Sequence, residues 1–157
     1  MKPDLCLSPL VQQNHDALEN CSRIRRGIKK NTDVAILKEF AYTYWNRDLE
    51  QHIKTEEEGL IPKLEKFKFS PHYLHMIRRD HDLIRTLIER IGVDGHEHKV
   101  YDVLASLVQY HIFFEERVLF PKVQEVLDEQ QLQEIGSTLS AYRAGNNFQN
   151  YPVKFWE

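Results

Sequence analysis

Cysteine is nearly missing from this chain of 157 residues: there are two, Cys6 and Cys21, and no CxxC pair. That excludes a disulfide framework and a thiolate zinc module, and it makes a cytoplasmic setting the default. No run of 18 apolar residues occurs, so no membrane-spanning helix is expected. The opening stretch, MKPDLCLSPLVQQNH, is broken by Asp and Pro and does not read as a signal peptide. Net charge is small, −3, so nothing draws the whole molecule to nucleic acid or to a membrane surface. The one basic run, RIRRGIKK at 23–30, falls where a helix should end, and cations there complement the helix dipole. No GxGxxG fingerprint for a dinucleotide is present.

What is present is helical. Period-two alternation is never sustained, whereas Ser8-Pro9 and Ser70-Pro71 read as helix starts and Asp94-Gly95 as a break. The expected helices are A (9–28), B (33–66), C (71–91) and D (96–127). A shorter helix over 129–143 and an irregular tail, 144–157, complete a single domain. Four long helices with short connections imply an all-α, antiparallel up-down-up-down four-helix bundle. The inward stripes contain Leu74, Ile77, His81, Ile84 and Ile88 on C, and Leu104, Val108, His111, Glu115 and Val118 on D. Helix B gives Tyr42, Trp45, Leu49, His52, Glu56 and Leu60; helix A gives Val11, His15 and Leu18 less cleanly.

One segment occurs twice. HIKTEEEGLIPKL at 52–64 returns 59 residues later as HIFFEERVLFPKV at 111–123, with seven of thirteen positions identical. The repeated His and Glu are four apart, one turn apart on one helix face. His15-Asp16 and His81-Asp82 precede the two copies, so the chain reads HD…HxxxE twice, as two helical hairpins about an approximate two-fold axis. The repeated prolines, Pro62 and Pro121, predict a kink or restart near each. Two carboxylates in an apolar core repel each other and are costly to bury; a bound cation resolves both problems. Four imidazoles and two carboxylates are too many for one tetrahedral zinc. They suit two metals bridged by two carboxylates. Imidazole and carboxylate without thiolate fit iron, with manganese, cobalt or zinc possible.

In these residues the chain resembles the hemerythrin-like, or HHE cation-binding, family. The matching positions are His15, His52 with Glu56, His81, and His111 with Glu115, over about residues 9–127. The resemblance implies a non-haem di-iron centre, two iron ions per chain, bridged by Glu56, Glu115 and an oxygen species. His15 and His52 would bind one iron, His81 and His111 the other. Each iron would then have about five ligands and an open position for dioxygen, nitric oxide or peroxide. Two departures from the oxygen carriers stand out. They have a second helix C histidine four residues from the first, where this chain has Ile77 and Arg85. They also usually have Asp where it has Glu115. The function implied is binding or sensing of a small diatomic or peroxide ligand. The alternatives are a di-iron redox enzyme, for peroxide decomposition or nitric oxide reduction, and an iron-handling or structural metal bundle.

The other histidines, His72, His75, His96 and His98, are expected at the surface. Glu57 and Glu116 are expected as solvated flanks, with a supporting role at the site the alternative. Tyr110 is a candidate O–H donor near bound oxygen. The aromatic tail, with Phe148, Tyr151, Phe155 and Trp156, is expected to dock on its own bundle rather than on a partner.

Overall fold

Helix signals in the sequence become five helices in the computed structural model, which describes residues 5–142 and 148–157. The expected end of the fifth helix, at 143, and the start of the tail lie outside the described residues. Helix α1 is Ser8–Lys29, with Pro9 in its first turn and Leu7 rather than Ser8 at the N-cap. Helix α2 runs through residues 34–66, capped by Asp33, whose carboxylate accepts from Ala35 N at 2.9 Å. Helix α3 is Pro71–Asp94, helix α4 covers residues 98–126, and helix α5 is Glu129–Ser140. A reciprocal capping box between Asp128 and Gln131 starts α5.

The connections are short. α1 and α2 each end with a left-handed residue, Asn31 (φ 57°) and Lys68 (φ 58°). In both, the next residue's N–H reaches back to a carbonyl five residues earlier, Thr32 to Gly27 and Phe69 to Leu64. The result is an all-helical bundle with no strand among the described residues. None of the described helices is long and apolar enough to cross a membrane.

The core falls into two apolar clusters. One contains Ala17, Cys21, Ile24, Leu49, Ile53, Ile84, Ile88, Val108 and Ile112. The other contains Leu10, Leu60, Ile61, Leu74, Ile77, Leu119 and Val123. Between them, on all four long helices, lie buried polar side chains: Asn14, His52, Glu56, His81, His111 and Glu115. The polar layer thus interrupts the apolar stripes at one level.

The tail docks on the bundle. Phe148, Tyr151 and Trp156 are buried in the first cluster, with the Phe40 ring 5.2 Å from Phe148 and 5.0 Å from Tyr151. Arg23 lies over the Trp156 ring at 4.4 Å and donates to Gln149 O at 3.1 Å. Helix α5 lies against the other end of the bundle. A Cβ on Gly136 would sit 3.0 Å from Cys6 Cα, so only glycine lets α5 approach the first turn this closely.

Candidate metal centre

Both copies of the repeat fold alike, with a wide turn just before the proline in each; a third wide turn, Trp45–Leu49 on α2, has no proline after it. Pro62 and Pro121 have no N–H, and each ring crowds the carbonyl four residues earlier, which favours a wider turn before each. Residues Thr55–Leu60 and Glu115–Leu119 are π-helical turns. Each is closed by a bond spanning five residues, Ile61 N–H to Glu56 O and Phe120 N–H to Glu115 O. The acceptor is the repeated Glu in both. Such turns re-aim side chains and concentrate at functional sites. The kink or restart expected at each proline is therefore a wide turn that begins at or beside the Glu, within a continuous helix.

The two His–Glu pairs meet in the core. One ligand atom from each of His52, Glu56, His111 and Glu115 lies within 4.8 Å of the others. Glu56 Oε1 is 3.5 Å from His52 Nε2, 2.9 Å from His111 Nε2 and 2.8 Å from His81 Nε2. Glu115 is 3.8 Å from His52 Nε2 and 3.6 Å from His111 Nε2. Both carboxylates and His81 are fully buried.

The structure does not bring His15 to this cluster. His15 is exposed, because the buried stripe of α1 is Leu10, Asn14, Ala17, Cys21 and Ile24. That is one residue out of phase with the expected Val11, His15, Leu18.

Each imidazole is oriented from outside. Nδ1 of His52 lies 2.7 Å from Gln13 Oε1, Nδ1 of His81 2.8 Å from Glu57 Oε2, and Nδ1 of His111 3.3 Å from Asp80 Oδ2. All three partners accept, so each Nδ1 donates and each Nε2 turns inward. Glu57 is consequently no solvated flank. It is half-buried and also accepts from both terminal nitrogens of Arg85. Glu116 is exposed, as expected. Gln13 and Asp80 were not legible as partners, since their contacts depend on how neighbouring helices are rotated. Tyr110 is 74 % exposed and points away from the centre. His72, His75 and His96 are at the surface, whereas half-buried His98 bonds Thr32 O at 2.6 Å.

The electrostatics couple the buried carboxylate to the imidazoles around it. Burial opposes ionisation of Glu56, but His52, His111 and His81 together outweigh it and hold the carboxyl well below the usual range. Burial also disfavours a charged His111, yet Glu56 and Asp80 raise its pKa to about 9. His52 goes the other way, to about 4, because burial prevails over the pull of Glu56. Like charges at about 5 Å repel by about 3 kcal/mol at an effective dielectric of 20. Four ligand atoms have no hydrogen-bond partner: His52 Nε2, Glu56 Oε2 and both oxygens of Glu115. Buried acceptors without a hydrogen bond are costly, and a cation held by these side chains would offset that cost. The residues present therefore fit a metal.

A helical bundle whose facing helices carry HxxxE pairs into one buried layer defines a class of cation-binding bundles. The chain belongs to the hemerythrin HHE cation binding domain family, whose model matches residues 7–123. No significant match was found among curated proteins or among solved structures.

Proposed function

We propose that the layer is a di-iron site, which His52, Glu56, His81, His111 and Glu115 would hold. The centre binds or senses dioxygen, nitric oxide or a related small oxidant such as peroxide. One observation carries this reading: four ligand atoms on α2 and α4, without hydrogen-bond partners, converge in a layer sealed by apolar clusters on both sides. Bound iron would supply reversible one-electron chemistry. The protein's own part is to hold and protect the site. Gln13, Glu57 and Asp80 retain the Nδ1 protons, which fixes each ring with Nε2 inward. Arg85 balances the charge of Glu57 at the outer edge. Leu60, Ile77 and Leu119 on one side, with Leu49, Ile84 and Val108 on the other, exclude bulk water.

Reduced, iron-loaded protein exposed in turn to dioxygen, nitric oxide and hydrogen peroxide tests the reading. A stable or reversible adduct with new visible absorption is expected. Sustained catalytic loss of peroxide or nitric oxide, with no adduct, would contradict binding or sensing and assign an enzyme.

A further inference from the structure

Asn14 belongs to the buried stripe of α1. It is fully buried, and neither its amide oxygen nor its amide nitrogen has a partner. A buried carboxamide normally finds at least one bond, and leaving it unpaired costs about 1–3 kcal/mol. Its neighbours place it at the level of the centre. Leu10, one turn before it, belongs to one apolar cluster, and Ala17, one turn after, belongs to the other. Gln13, the preceding residue, reaches the His52 ring.

The internal symmetry makes the assignment sharper. The buried stripe of α1, Leu10, Asn14, Ala17, Cys21 and Ile24, matches that of α3, Ile77, His81, Ile84, Ile88 and Ile91, with every pair 67 positions apart. The outer acceptors obey the same spacing: Gln13 serves His52 as Asp80 serves His111. The HD repeat in the sequence, His15 and His81, is spaced by 66. Sequence likeness and structural equivalence thus differ by one residue, and structural equivalence pairs Asn14 with His81.

Accepting that the layer holds two metals, we infer that Asn14, not His15, completes the second metal position through its amide oxygen, so that the two positions are unequal. One is served by two imidazoles, His81 and His111. The other is served by one imidazole, His52, and a neutral carboxamide. An amide oxygen is a weaker donor than imidazole toward late divalent transition metals, so the second ion binds less tightly and loads last.

Cobalt(II) titration of metal-free protein, followed by visible absorption and by metal analysis after gel filtration, tests this. Wild type is expected to bind two ions in separable steps. Asn14→Leu should weaken the second step by about tenfold or more and leave the first. Asn14→His should tighten the second step, and His15→Ala should change neither. The metal-free Asn14→Leu protein should unfold at or above the wild-type temperature, because an unpaired amide is removed; this separates loss of a ligand from loss of the fold. Weakening by His15→Ala with no effect of Asn14→Leu would overturn the assignment while leaving the two-metal reading intact. A wild-type protein that takes up no cobalt overturns both.

Discussion

At the scale of single residues, the centre depends on groups that do not themselves face the metal layer. Glu57 joins His81 to Arg85, and its role contrasts with that of Glu116, its counterpart in the repeat. Glu57→Gln should lower metal affinity by about tenfold, since His81 loses its charged acceptor and Arg85 its partner. Glu116→Gln should leave affinity unchanged; equilibrium dialysis against cobalt(II) distinguishes the two. The metal-free protein should also show a pH signature. The His52 pKa, about 4, is below the ordinary value of 6.5, so its stabilising contribution fades as pH falls from 6.5 toward 4. The His111 pKa, about 9, is above that value, so its contribution is complete below 6.5 and fades as pH rises toward 9. Asp48, pushed up to about 6 by burial, offsets much of the His52 effect on the acid side, so thermal unfolding in chelator is expected to change little from about pH 4 to 6.5 and to lose stability from 6.5 toward 9. A profile rising monotonically from acid to alkali would contradict these assignments. Much of this scale was hidden in the sequence. His52, Glu56, His111 and Glu115 announce themselves by repetition. Gln13 and Asp80 do not, because their acceptors lie across a helix–helix contact.

At the scale of elements, the sequence is legible where caps and prolines act locally. The starts of α2 and α3 fall within one residue of the expected positions, since Asp33 caps the first and Pro71 opens the second. Rotation about a helix axis is less legible. The inward stripe of α1 lies one residue from the expected one because it includes Asn14, Ala17 and Cys21, which hydropathy barely separates from Gln13, His15 and Leu18. The wide turns at Thr55–Leu60 and Glu115–Leu119 also escape a regular 3.6-residue reading. Their cause is testable. Pro62→Ala and Pro121→Ala each restore an N–H and remove the ring, which allows a regular α-turn. Each variant should stay folded with undiminished far-ultraviolet helicity, and each should retain less metal after gel filtration. Unchanged metal retention in both would show that the repeated prolines do not aim the glutamates.

At the scale of the molecule, a polar layer divides the apolar core, so metal occupancy and stability are linked. The docked tail is a separate contribution. Trp156 is 5 % exposed and packs with Phe40 and Arg23, far along the chain from any of the proposed ligands. Trp156→Ala should cost about 3 kcal/mol or more in urea denaturation, with metal content unaltered. Loss of metal in that variant would show that the tail and the centre form one cooperative unit.

The central claim is that the His/Glu layer holds two irons. Metal analysis of protein produced with ample iron, together with its near-ultraviolet absorption, tests this most directly. We expect close to two irons per chain and intense oxo-to-iron bands. A single tightly held zinc, or no bound metal, with no such bands would contradict it.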